Sequence, residues 1–443
     1  MGLDALTRWK RQMEQMEMSP PNATQDMSEM PNTISDSVWG LKGEWLAQGG
    51  VLLFLLALIY IALALHTLAK YFILPCIDVV TAKTDSTPSV AGTLIVGGIT
   101  STLAFVTTII GNLVDMGKIG FGKNVGPHIY DHTVIVALSL LCVSYSLQKQ
   151  IGARALLRDA VFIILINILI VVFFMDSVLV WHESALLSTI FLLYLLAVRI
   201  LRKFMTTETV QTSPAEEPNE NQLEFAEPVP TAYEKYQAMK MVPEVDSSCM
   251  ARFTHYLILP IKAVMWATIP SPAWTCCKAL TWTNIFPATL LMSLLWQALL
   301  AYLMGWCGQV FGNSVGLPPE VTDLVLLAPI TLDIMVCALL AGRGDLAMAV
   351  HSIFGRSIIH ISLTLGISSL FVNVVFMKEI QVDASCWPYT ITMMVLSISL
   401  LFLIVTCTRG KPARWWFIAF IVLFLLHMAV ALALTYGWIQ CPV

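Results

Sequence analysis

About ten apolar runs, each near the roughly 20 residues an α-helix needs to cross about 30 Å of hydrocarbon, fall five before and five after one polar gap in this chain. They lie near residues 50–76, 89–113, 123–148, 157–176, 179–201, 285–308, 319–341, 346–374, 386–408 and 414–437. No soluble domain could bury that many. The composition agrees, with 57% hydrophobic and 12% charged residues and a mean hydropathy of +0.76. The expected fold class is all-α: a polytopic membrane protein of about ten transmembrane helices.

The gap divides the chain into regions. Residues 1–48 form a polar N-terminal tail that lacks the apolar core of a secretory signal, although Asn22-Ala23-Thr24 is a glycosylation acceptor if exported. Residues 49–204 form the first membrane region and 251–443 the second. Between them, residues 205–250 are rich in Glu, Pro, Thr and Asn and too poor in large apolar residues to fold alone, so an acidic, disordered linker is expected. Lys149, Arg154, Arg158, Arg199, Arg202, Lys203, Arg343, Arg409, Lys411 and Arg414 all fall in loops on one side, which predicts a cytosolic linker and extracytoplasmic termini. The opposite loops around Asp176 to Glu183 and Gln309 to Pro319 carry no Lys or Arg. Asp115, Asp159, Asp176 and Glu183 sit near helix ends, where contact with water is expected, and Trp181, Trp387, Tyr389, Trp415, Trp416 and Trp438 are expected as interfacial anchors. The ten cysteines show no paired metal-ligand spacing; Cys386 and Cys441 share the predicted outer face and can pair or stay free.

Two weakly similar stretches occupy corresponding places in the halves. Residues 90–132 and 322–361 each contain a helix with small and hydroxyl residues, a short Gly-containing break and a second helix. Two inverted five-helix repeats whose half-sites meet near the bilayer midplane give this layout, and it points to an ion transporter. Gly92, Gly97 and Gly98 allow close helix contact. No strand precedes the glycine run at 117–122, which excludes a dinucleotide fold, and no GxGD or HExxH string supports an intramembrane protease.

From these repeats, and from strings such as LIYIALALHTLAKYFILPCIDVV at 58–80 and FPATLLMSLLWQALLAYLM at 286–304, the chain resembles the potassium-dependent sodium/calcium exchangers of the calcium/cation antiporter superfamily. The resemblance covers about residues 50–437. It implies a secondary active antiporter, not an enzyme, that exchanges calcium for sodium, with or without potassium, by alternating access. It implies no cofactor, no catalytic residue and no nucleic acid; the partners are the lipid bilayer and inorganic cations, and the location is the plasma membrane or an organelle membrane.

The resemblance also shows where this chain departs. The family's Gly-Thr-Ser-Ile-Pro-Asp string falls on Ala328 to Asp333 and keeps its acid, whereas Gly-Ser-Ser-Ala-Pro-Glu falls on Ile99 to Ala104, with Leu103 at the Pro and Ala104 at the acid. In the second helices, Asp131 stands at an Asn position, while Arg356, Ser357 and His360 stand where the family has Ser, Asn and Asp, the last two associated with potassium coupling. A dehydrated calcium ion needs about six to eight oxygens, and an acid within a membrane helix is costly, so Asp333 and Asp131 are the candidate ligands for transported calcium or sodium. Thr100, Ser101, Thr102, Thr331, Ser357 and Tyr130 are candidate neutral ligands, and His360, His128 and His132 candidate proton carriers. Plainer roles stay open: Asp131 as the start of a helix, His360 as a core histidine bonded to a hydroxyl, and Thr100, Ser101 and Thr102 bonded to their own helix. Two overall readings also remain: an exchanger with a rearranged site, and a degenerate membrane protein on the exchanger scaffold that either no longer transports, its site filled by Arg356, or has altered specificity, proton-coupled or for another cation.

Overall fold

The computed structural model describes residues 50–114, 118–120, 127–143, 151–211, 249–270, 282–317, 321–383, 387–411 and 415–435. The N-terminal tail, its Asn22 triplet, most of the linker, Asp115, Cys386, Cys441 and Trp438 lie outside those residues, as do Gly117, Phe121 and Gly122 of the glycine run and the side chain of Trp387. The chain divides into two compact units, Met1–Leu53 and Phe54–Val443; only residues 50–53 of the first are described, and the architecture below is that of the second.

Apolar helices dominate. In the first half these are α1 (Val51–Lys83), α2 (88–114), α3 (127–142), α4 (Ala153–Phe174) and α5 (Trp181–Gln211). After the linker come α6 (Cys249–Thr268), α7 (Trp282–Val315), α8 (Leu332–Gly342), α9 (Leu346–Val375), α10 (Trp387–Cys407) and α11 (Trp415–Thr435). Seven of the described helices have the length and hydropathy to cross a membrane. The other three expected runs fall on α3, on α10, and on an interrupted stretch ending in α8. Helix α5 continues to Gln211, into the sequence read as linker. Outward-facing Leu165, Ile168, Leu192, Leu295, Ile418 and Val422 form an apolar exterior that suits lipid and would be a liability in water.

The helices of the two repeats, α2 and α3 with α8 and α9, make the interior. Within its apolar window α9 is 67% buried, against 22% for the spans in α7 and α11. It packs on α2, α4 and α8. Gly344, at φ +88°, closes the turn from α8 to α9, a conformation that glycine adopts without a Cβ penalty.

Each repeat helix also carries a π-helical segment: Ala91–Val96 in α2, Asp131–Ile135 in α3, Thr322–Leu327 before α8 and Ile359–Leu365 in α9. The offset that lays Asp333 on Ala104 also lays His360 on Asp131, so the π segments of α3 and α9 sit at corresponding positions. Such wide turns release backbone groups and are frequent at functional sites.

Three short strands that the sequence reading did not anticipate lie at helix ends. β1 (Lys118–Gly120) pairs in parallel with β3 (Ile380–Asp383), which pairs antiparallel with β2 (Val178–Leu179). Asn373 ties α9 to this sheet by donating to the carbonyls of Leu179 (3.1 Å) and Lys378 (2.9 Å).

Candidate ion site between the repeats

Missing side chains let α9 approach α2. A Cβ on Gly92 would lie 2.5 Å from the Met348 carbonyl oxygen, and one on Gly97 would lie 2.9 Å from the Arg356 nitrogen. On the facing helix, a Cβ on Gly355 would strike the backbone of Thr93. Gly98 is looser, with Ile359 Cδ1 at 4.0 Å. This crossing carries the Arg356 side chain in among the repeat helices.

Repeat two breaks its first helix where repeat one does not. After the π segment, Ala328–Ile330 forms a single 3₁₀ turn, Pro329 brings no N–H, and Thr331 is extended at φ −64° and ψ 154° before α8 begins. Asp333 therefore sits in the first turn of α8, where the helix dipole favours a carboxylate. With Leu103 in place of proline, α2 runs unbroken from Gly97 to Val114.

One guanidinium nitrogen joins acids from both repeats. Arg356 Nη1 lies 2.9 Å from Asp131 Oδ1 and 2.7 Å from Asp333 Oδ2. Asp131 is 3% exposed and Asp333 6% exposed, so neither charge is hydrated in the ordinary way. Two carboxylates against one guanidinium leave one net negative charge with neutral histidines. The compensation is partial, because Asp333 Oδ1 and Arg356 Nε have no hydrogen-bond partner among the described residues. The Thr100 hydroxyl donates to Gly97 O at 3.4 Å.

A cavity of about 390 Å³ opens on this group. Thr100, Thr331, Asp333, Arg356, Gln297 and Tyr302 supply its polar lining, and Ala104 and Leu103 line it where an acid and a proline would stand in the resembling family. Gln297 was not among the sequence candidates. It comes from α7, outside both repeats, is 4% exposed, and its Oε1 has no partner among the described residues. A lone amide inside LLWQALL was its only sequence signal.

The remaining candidates divide by their bonding. Ser101 donates to Gly97 O at 2.5 Å and Thr102 to Gly98 O at 3.0 Å, so their protons go to their own helix. Tyr130 packs edge-on against Phe424, and its hydroxyl has no partner among the described residues. Ser357 and His360 lie behind Arg356 in a buried network. His128 Nδ1 faces Asp131 Oδ2 at 3.3 Å and Ser357 Oγ at 3.0 Å, and its Nε2 meets His360 Nδ1 at 2.9 Å. His360 Nε2 then meets Thr108 Oγ1 at 3.2 Å, and His132 Nε2 meets Ser357 Oγ at 3.1 Å. Thr108 was not singled out from sequence either.

Two expectations are corrected. Asp159 does not see water: it is fully buried, accepting from Arg158 Nε at 2.7 Å and Tyr194 Oη at 2.9 Å, with His351 Nδ1 at 2.7 Å from its second oxygen. Helices α5 and α9 close over a position that lies near the start of α4. Trp416 is not an interfacial anchor but 0% exposed, whereas its neighbour Trp415 is 50% exposed and Trp181 60% exposed.

The sequence model of the family described as sodium/calcium exchanger protein matches residues 53–199 and 285–433. Among curated relatives, the sodium/potassium/calcium exchanger Nckx30C of Drosophila melanogaster is 28% identical over 193 residues, 43% of this chain and 21% of that protein. Sodium/potassium/calcium exchanger 5 of Homo sapiens is 24% identical over 413 residues, covering 83% of this chain and 80% of its own length. A solved structure of the sodium–calcium exchanger NCX_Mj superposes with a TM-score of 0.51 at 14% identity, covering 86% of this chain and 99% of that one, and so shares its fold.

Proposed function

We propose that this chain, which belongs to the sodium/calcium exchanger protein family, is a secondary active cation antiporter that exchanges calcium for sodium by alternating access. Its relatives are named as exchangers of sodium, potassium and calcium, which supports sodium and calcium as the ions exchanged. The observation that carries the reading is the pair of buried acids, Asp131 from one repeat and Asp333 from the other, held by one nitrogen of Arg356 beside a cavity. A scaffold with no cation to bind gains nothing from two carboxylates at that depth, since each is costly there.

In this reading Arg356 is a tethered counter-ion. A calcium ion that takes both carboxylates displaces the guanidinium, and the remaining oxygens come from Thr100, Thr331, Gln297 and water to reach about six to eight. Ser101, Thr102, Ser357 and His360 form the surrounding shell, where hydroxyl oxygens with protons bonded elsewhere still offer lone pairs. Sodium, with one charge, competes for the same acids. Rocking one helix bundle against the other then exposes the site to each side in turn. The chain has Ser357 and His360 at the positions linked to potassium coupling, and both are engaged in the histidine network, which supports exchange without potassium.

Calcium uptake into proteoliposomes under an outward sodium gradient tests this. The folded protein is expected to take up calcium only when sodium is loaded inside. Uptake no greater than in empty liposomes would overturn the reading and favour a scaffold without transport.

A further inference from the structure

We propose that Lys70 of α1, with Tyr71 and with Lys262 of α6 beside it, binds the phosphate of an anionic phospholipid headgroup. The site lies outside both repeats, and the inference does not depend on the transport reading.

Two like charges gathered on one ring carry the inference. Lys70 Nζ lies 5.4 Å and Lys262 Nζ 5.0 Å from the centroid of the Tyr71 ring. The two ammoniums therefore stand within about 10 Å of each other, one Debye length at 0.1 M salt even in water, and Lys262 feels the charge of Lys70. Each is attracted by the ring, but the ring does not cancel the repulsion between them. An anion set against Lys70 does. Near Lys70 neither helix places an acid: α6 has no Asp or Glu, and the acid of α1, Asp78, is eight residues further on and pairs with Arg343 at 3.2 Å. Lys70 itself makes no ion pair with the described residues.

Depth points to lipid as the source of the anion. Leu65 lines the cavity between the repeats, whose half-sites meet near the bilayer midplane. Lys70 is five residues further along α1, about 8 Å toward the end that carries Asp78, within a hydrocarbon half-thickness of about 15 Å. Lys70 is exposed, and from that depth its stem snorkels to the headgroups, where lipid phosphates are held by their own chains.

Helix α6 suits the same level. It is not among the seven helices with the length and hydropathy to cross a membrane. It combines Arg252 and Lys262 with exposed Tyr256, Leu257 and Trp266, a mixture that suits the bilayer interface. Its far end is fastened to α7, where Trp296 Nε1 donates to Thr268 Oγ1 at 2.9 Å. Snorkelling alone accounts for Lys70, but it gives no reason for a second lysine, from another helix, to stand over the same ring. A phosphate at Lys70 neutralises the pair and joins α6 to the helix whose Leu65 lines the cavity.

The test uses full-length protein in phosphatidylcholine nanodiscs, with spin-labelled phosphatidylglycerol and spin-labelled phosphatidylcholine compared as probes of bound lipid. The wild type is expected to prefer phosphatidylglycerol, and Lys70→Gln to lower that preference about fivefold, the usual worth of one lysine near anionic lipid. Lys70→Arg should retain it. Arg199→Gln, which removes an exposed charge near the linker end of α5, should leave it within about twofold. Equal retention of the two lipids by the wild type would overturn the proposal, and so would equal losses in Lys70→Gln and Arg199→Gln, which would show diffuse surface charge. Displacement of the bound lipid by excess inorganic phosphate would assign the site to the free anion and overturn the headgroup as its ligand.

Discussion

Arg356 reaches Asp131 across the repeat boundary, Nη1 to Oδ1 at 2.9 Å, and the same nitrogen holds Asp333 at 2.7 Å. A site that would otherwise hold two negative charges therefore holds one. Removing the guanidinium restores the second: Arg356→Gln is expected to raise apparent calcium affinity about tenfold, since one extra ligand charge offsets more of the ion's lost hydration. The same change leaves two buried acids unpaired and should cost about 3 kcal/mol of stability without calcium. Thermal unfolding in detergent across a calcium titration checks both effects. Weaker calcium binding in the variant would show that the guanidinium orders the site rather than competing for it.

The crossing of α2 and α9 predicts a sharp difference between two neighbouring glycines. Gly355→Ala puts a methyl into the Thr93 backbone, which cannot retreat as a flexible side chain would, and should cost about 3 kcal/mol and most of the folded yield. Gly98→Ala meets only Ile359 Cδ1 at 4.0 Å and should be tolerated. Monodispersity on size-exclusion chromatography after extraction separates the two.

Asp159 anchors the second buried charge cluster. Asp159→Asn leaves Arg158, itself 5% exposed, without its counter-charge, and should destabilise the protein by about 3 to 5 kcal/mol. The pair between Arg343 and Asp78 has side chains 26% and 31% exposed, so Arg343→Gln should cost less than about 1 kcal/mol. Comparable unfolding midpoints for the two variants would contradict the burial argument.

Potassium should not matter. Ser357 bonds His128 and His132, and His360 bonds His128 and Thr108, which leaves no acid at the position linked to potassium in the resembling family. Sodium-driven calcium uptake should be equal in potassium and in choline media; stimulation by potassium would place a further cation ligand elsewhere.

The span pattern was legible because lipid sets a length and a composition that few other environments demand. Asp333 stood out for a related reason: an acid inside AxITLDIMVCALL has no inexpensive explanation. Arg356 was visible as a neighbour in the repeat register, but its bridging of both acids depends on how closely α9 crosses α2 at Gly97 and Gly355. Gln297 was hidden because a non-repeat helix brings it to the cavity, and Asp159 was misread because chain position near a helix start does not reveal that Tyr194 and His351 cover it. Strands of two to four residues are too short for a period of two to register.

Whether one acid from each repeat shares a single cation is decided by sodium-gradient-driven calcium uptake in Asp131→Asn and Asp333→Asn, measured beside the wild type in matched proteoliposomes. Each substitution alone is expected to lower uptake by about tenfold or more, and the double variant to be no worse than either, because the two carboxylates act as one site. Wild-type uptake in either single variant would contradict it.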